Sequence, residues 1–334
     1  MSRNRWLIVI VSFAAMIGIS IYVVRGAMGK YGTLPMLPWW SHGLAFGFVL
    51  LEALSRSIKI MWGGHAMNIP MGYGLAVRTS LGGDFASSLT PSRSGAEPAR
   101  FLVLAQSGMP TASIILVLFL ELLMEAVTFL VIGLAAWFIF NGSYAVLGMM
   151  TTIVVGYIAL LFGIGAFGLL LTQRNTKGPP PKWTKSFGLN AGHWRGIQRS
   201  LRHLRTSLAA LKHAKLGKLT LSFLASLVHV GAKLAILPAI VWSIDPSVEL
   251  SHMILYPLLL FYGATIAPAP GGGGAVEFGF KQSFEGILDP PVLASALIWW
   301  RFYTLYMYIF LGALAGGATV LRAVGSDKKQ APKH

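Results

Sequence analysis

The chain has 334 residues, 55% of them hydrophobic and only 11% charged, against roughly 25% charged in a soluble domain. It carries 27 Lys and Arg against 11 Asp and Glu, a net charge of +16, and no Cys. This composition excludes a soluble globular enzyme, a disordered chain and a disulfide scaffold, and the lack of Cys excludes thiol catalysis, Cys-bound zinc and iron–sulfur clusters. With several apolar runs of around twenty residues, each long enough to cross about 30 Å of hydrocarbon, the chain reads as an all-α polytopic membrane protein.

Arg3 and Arg5 precede the first apolar run, Trp6 to Val24, which outlasts a signal-peptide core and stops at Arg25. That pattern predicts an uncleaved anchor with a cytoplasmic N-terminus. Further spans are expected at about Trp39–Met61, Ala112–Phe140, Tyr144–Leu171, Leu219–Ile244 and Val292–Leu321, which makes about six full transmembrane helices. The segment from Gln173 to Lys218 holds eleven Lys or Arg and no acid, and the tail 322–334 sets Arg322, Lys328, Lys329 and Lys333 against Asp327. Basic surplus of this kind marks the cytoplasmic side, so both termini are expected inside. The loop 173–218 would also lie against an anionic membrane surface. No aromatic-interleaved module accompanies the charge, so no nucleic-acid role is expected. His193, His203 and His213, ten apart in that loop, share no helix face and read as solvated.

Two moderately apolar segments, Gly72–Gly108 and His252–Pro290, are interrupted by Pro and Gly at Thr90–Gly95 and Pro268–Gly274. Non-helical backbone at membrane depth survives only when buried in protein or lining a wet cavity. Each segment is therefore expected to be a re-entrant helical hairpin with a polar tip. Only this arrangement keeps the N-terminus, the basic loop and the basic tail on one side. It makes residues 39–140 and 219–321 an inverted-topology repeat within a single transmembrane domain, the plan of many secondary transporters.

The first tip opens a short helix with Pro98 in its first turn. Free N–H groups at such a terminus attract anions, and Thr90, Ser92, Arg93, Ser94, Gly95 and Arg100 add donors and positive charge. The second tip places Gly271, Gly272, Gly273 and Gly274 in a row, which lets backbone amides approach a phosphate. It is not a P-loop, since no Gly-Lys-Ser/Thr follows. The alternative is that the glycines only permit a tight turn, with Glu97 and Glu277 capping helix ends. Ionisable residues inside the spans normally face a cavity or a partner. Glu121 and Glu125 share a face, as do His229 and Lys233; Arg301 lies in the last span; and Glu52 and Arg56 are placed to pair. Lys233 or Arg301 could pair with Glu121 or Glu125, or these groups could line a route for a lipid headgroup or a proton. Trp39–Trp40 and Trp299–Trp300 are expected as interfacial anchors.

These tips resemble the flippase-like integral membrane proteins related to the transmembrane region of lysylphosphatidylglycerol synthases. Pro91, Gly95, Glu97 and Arg100 match that family's Pro-x-x-x-Gly-x-Glu/Asp-x-x-Arg element. Pro270, Gly271, Gly272, Gly274 and Glu277 match its Pro-Gly-Gly-x-Gly-x-x-Glu element, and Arg301-Phe302-Tyr303 its later Arg with aromatics. Leu122 stands where the family often has Arg between two acids, here Glu121 and Glu125. The resemblance covers about Leu50 to Leu321 and implies a lipid-accessible cavity and movement of a lipid or lipid-linked headgroup between leaflets.

The expected function is thus translocation of an anionic phospholipid or polyprenyl-phosphate-linked lipid across the cytoplasmic (inner) membrane. The two tips would bind the phosphate. Glu97, Glu121, Glu125 and Glu277 would serve as gating or proton-coupled carboxylates, with Lys233 and Arg301 as intramembrane cations. No cofactor or metal is expected, and homo-oligomerisation is left open. No Gly-x-Ser-x-Gly, His-Glu-x-x-His or ATP site is present, so an enzyme is not expected. With only residues 322–334 beyond the last span, the chain is not expected to be a bifunctional synthase by itself. The alternative is a membrane enzyme acting on a lipid phosphate or lipid-linked sugar.

Overall fold

The computed structural model describes residues 33–140 and 214–317, residue 268 excepted, with scattered helical positions between 14 and 26 and between 148 and 166. The scattered positions fall within the expected first and fourth spans. Most of the basic loop and the tail lie outside the described residues.

Among the described residues the regular structure is helical. α1 (Trp39–Ala66) starts directly after Pro38, and α4 (Thr111–Ile139) directly after Pro110. Between them come α2 (Tyr73–Leu89) and α3 (Ala96–Gln106). The second half holds α5 (Leu216–Val241), α6 (Leu250–Ile266), α7 (Ala275–Phe284) and α8 (Pro290–Arg301). The last of these begins with two prolines in its first turn, where no intrahelical donor is lost. It runs on through a π turn (Phe302–Tyr306), α9 (Met307–Gly312) and a second π turn (Ala313–Gly317). Among the described residues, three helical stretches are long and apolar enough to cross a membrane: Thr111–Ile139, Leu216–Val241 and Pro290–Ala315. α1 equals them in length but carries Glu52, Arg56 and Lys59 at its middle, all three buried.

The helix lengths recur in order. The first half runs 28, 17, 11 and 29 residues. The second runs 26, 17 and 10 residues before the final helical stretch. α1 and α5 form the central antiparallel pair. Ser41 Oγ donates to the Ala239 carbonyl at 2.8 Å near one end, and Ser222 Oγ to the Lys59 carbonyl at 2.9 Å near the other.

The two Pro/Gly breaks meet. Pro91 and Pro270 form an isolated antiparallel bridge, and the Ser92 N–H and hydroxyl both donate to the Ala267 carbonyl at 3.0 Å. The largest apolar core lies in the second half, where Phe280 stacks on Trp300 with centroids 5.1 Å apart. Here one expectation fails. Trp39 is 84% exposed, as an interfacial residue would be, but Trp300 is fully buried. Its neighbour Trp299 is partly buried and packs edge-on against His42. The Trp299–Trp300 pair belongs to the core, because the helical stretch from Pro290 starts ten residues earlier and carries Trp300 inward.

Candidate functional site

Three cations and five carboxylates meet where α1, α2, α3 and α4 converge. Arg56 and Lys59 are three apart on α1 and so lie on one face, as do Glu121 and Glu125, four apart on α4. Arg56 Nη1 lies 2.6 Å from Asp84 Oδ1 on α2, and its other contacts, with Glu121, Glu125 and Glu52, are 3.6–3.9 Å. Lys59 Nζ lies 3.1 Å from both Glu121 and Glu125. Arg100 on α3 lies 2.5 Å from Glu121 and 2.7 Å from Glu97. Asp84, Glu97, Glu121 and Glu125 each have an Arg or Lys within 3.1 Å, which offsets the cost of burying charge at this depth.

Of the pairings expected from the sequence, Glu52 with Arg56 is present as a long i, i+4 contact of 3.9 Å, and Glu52 also has His229 Nδ1 at 3.1 Å. The others are corrected. Glu121 and Glu125 pair with Lys59, Arg56 and Arg100, not with Lys233 or Arg301. Arg301 pairs with Glu277 at 2.7 Å. Lys59 and Asp84 were missed as site residues. Lys59 lies two residues before the expected end of its span at Met61, but α1 continues to Ala66 and buries it. The available signal was the i, i+3 spacing of Arg56 and Lys59 opposite the i, i+4 spacing of Glu121 and Glu125.

Beside this cluster lies a cavity of about 330 Å³. It is lined by Ser92, Arg93, Ser94, Glu97 and Arg100 from the first break and α3, by Asp84, Arg56 and Glu125, and by His229, Lys233 and Phe261. Two of its cations have no carboxylate within 4 Å among the described residues: Arg93, and Lys233, whose Nζ stands 4.6 Å over the Phe261 ring. Ser92 and Arg93 have φ of 52° and 55°. The left-handed region costs a non-glycine residue about 1–2 kcal/mol. This strained turn carries Arg93 to the cavity wall.

The remaining residues of the first break are engaged locally. Thr90 Oγ1 donates to the Ala86 carbonyl and accepts the Gly95 N–H, both at 2.8 Å, and Ser94 Oγ donates to the Pro91 carbonyl. Gly95 is required by space, since a Cβ there would lie 2.8 Å from Thr90. Arg100 is held in the ion cluster, with a side chain 2% exposed.

The second break is built differently. Gly271 to Gly274 are all buried, and none of them lines the cavity. The amides of Gly272 and Gly273 close turns onto Ala269 and Pro270, and the Gly274 amide donates to Glu277 Oε2 at 2.6 Å. Glu277 and Arg301 edge a separate, apolar pocket of about 380 Å³ with Ile17, Ile21, Val24 and Leu297. The breaks thus touch each other, while the polar cavity is lined by the first break and by residues of α1 to α6, Phe261 being the contribution of α6.

This arrangement supplies unpaired positive charge in a partly apolar enclosure, which suits a phosphate or carboxylate anion. Residues 7–312 match the family described as the lysylphosphatidylglycerol synthase TM region. A relative from Archaeoglobus fulgidus, described as a UPF0104 membrane protein, is 22% identical over 296 residues, covering 84% of this chain and 85% of that protein.

Proposed function

The chain belongs to the family of the lysylphosphatidylglycerol synthase TM region, and from that premise we propose that it translocates an anionic lipid across the cytoplasmic membrane. The cargo is a phospholipid or a polyprenyl-phosphate-linked lipid, with its phosphate seated between Arg93 and Lys233. One observation carries this reading: both cations line the same cavity with no carboxylate within 4 Å among the described residues. An anion there gains two charge-assisted partners, while the other cations are already committed to acids.

In the same reading the breaks are re-entrant tips. At about 1.5 Å per residue, the 10- and 11-residue helices α7 and α3 are about half the length needed to cross about 30 Å of hydrocarbon. Six full spans then flank two hairpins in an inverted repeat, with both termini and the basic loop inside. The recurrence of helix lengths and the Pro91–Pro270 bridge support this arrangement.

The test is transbilayer movement of labelled anionic and zwitterionic lipids in proteoliposomes, comparing wild type with Arg93→Ala and Lys233→Gln. These variants leave the ion cluster and the glycine turn intact, unlike changes at Arg100 or Gly272. We expect anionic lipid to move in wild type and at least tenfold more slowly in either variant, a loss of about 1.4 kcal/mol or more. Movement unaffected by both would discard the site. Covalent conversion of the labelled lipid would replace transport with the enzyme reading.

A further inference from the structure

The five carboxylates around the cavity are Glu52, Asp84, Glu97, Glu121 and Glu125, and the fixed cations are Arg56, Lys59, Arg93, Arg100 and Lys233. With His229 neutral, these ten charges balance. Asp84, Glu97, Glu121 and Glu125 each have an Arg or Lys within 3.1 Å. Glu52 does not. Its closest fixed cation is Arg56 at 3.9 Å, and its near partner is His229 at 3.1 Å. Both members of this pair are 1% exposed or less.

His229 also lines the cavity, one helical turn from Lys233. Every packed element brings charged or titratable groups towards the pair. α1 contributes Arg56 and Lys59, α2 Asp84, the first break Arg93, α4 Glu121 and Glu125, α5 Lys233, and α9 the Tyr308 hydroxyl, which faces Glu52. Of all these, imidazole is the group whose ordinary titration lies near neutral pH.

Resting on the proposed phosphate site, we infer that the His229–Glu52 pair takes up one proton when an anion settles between Arg93 and Lys233. The anion adds a negative charge to a balanced enclosure of low dielectric, which is unfavourable without a compensating charge. Protonating the imidazole supplies that charge and turns its contact with Glu52 into a charge-assisted ion pair, with no rearrangement of the Arg and Lys contacts. Cargo and proton then travel together, and Glu121 and Glu125 act as fixed counterions.

The experiment is calorimetric titration of the protein in nanodiscs with dihexanoyl phosphatidylglycerol and, separately, dimethyl phosphate. Both are phosphodiesters that stay singly charged near neutral pH, so any proton taken up belongs to the protein. Repeating each titration in buffers of different ionisation enthalpy counts the protons. We expect about one proton per anion in wild type near pH 7, and a Kd that rises up to about tenfold per pH unit above the pair's titration. In His229→Gln the proton count falls close to zero while binding persists, and Glu52→Gln lowers it as well. If His229→Gln fails to fold, Glu52→Gln and the wild-type pH dependence carry the test. Binding of the lipid alone assigns the site to a lipid headgroup, and binding of both probes assigns it to the phosphodiester itself; the proton count then decides the inference in either case. Binding with no proton uptake, or an undiminished count in both variants, overturns the inference and leaves the phosphate site standing. Failure of both probes to bind overturns the phosphate site and the inference with it.

Discussion

Residues 90–95 and 269–274 both interrupt a 17-residue helix, both begin at a proline-containing turn, and both lead into a helix of ten or eleven residues. They touch each other at Pro91 and Pro270. The first uses Ser92 and Arg93 in left-handed backbone and so puts a cation at a cavity wall. The second uses Gly271, Gly272 and Gly274 at φ of 56°, 73° and 82°, where glycine carries no such strain. It spends that freedom on packing: a Cβ on Gly271 would lie 2.6 Å from Leu305, and one on Gly272 2.6–2.7 Å from Ala264. The same break in chain direction therefore presents a cation to the cavity on one side and packs closely on the other. Strain kept by a charged side chain is the feature that separates them.

Four substitutions sharpen that contrast, and thermal unfolding in detergent micelles ranks them. Glu121→Ala strips both Arg100 and Lys59 of their shared acid, and loss of one partner from a buried ionic contact costs about 3–5 kcal/mol. A loss under about 1 kcal/mol would mean that the cluster does not hold the first half together. Gly272→Leu drives a side chain into the Ala264 backbone at positive φ, for a loss of about 3 kcal/mol. A Leu there that left the melting temperature unchanged would refute the packing role of the second break. Arg93→Gly removes the charge and relieves the left-handed turn, so stability stays within about 1 kcal/mol of wild type. Lipid movement nevertheless falls at least tenfold, about 1.4 kcal/mol. Equal loss of both would make Arg93 structural. Ser94→Ala deletes one exposed hydroxyl contact with Pro91 and changes stability by about 0.5 kcal/mol or less.

Apolar run length and Pro/Gly punctuation are local properties, and the elements that depend on them were legible in the chain. α4 was expected at Ala112–Phe140 and lies at Thr111–Ile139, and both breaks stand where Pro91 and Pro270 were read. The i, i+4 pairs Glu121–Glu125 and His229–Lys233 also share a face, as helical spacing requires: Glu125, His229 and Lys233 line the cavity, and Glu121 sits in the adjoining ion cluster. Partners across helices followed a different logic. Which acid meets which base depends on helix rotation and depth, and these are set by small contacts such as Ser222 with Lys59 and the fit of Gly83 beneath Arg100. Lys59, Asp84 and the Glu52–His229 contact therefore appeared only once the helices were packed. The four glycines likewise looked open to a phosphate, until packing turned their amides onto Ala269, Pro270 and Glu277. Composition and periodicity determined a helical membrane protein with two broken segments. Only the tertiary structure decided that Arg93 and Lys233 have no carboxylate within 4 Å among the described residues, because the low-dielectric core assigns its carboxylates to the cations that reach them within hydrogen-bonding distance.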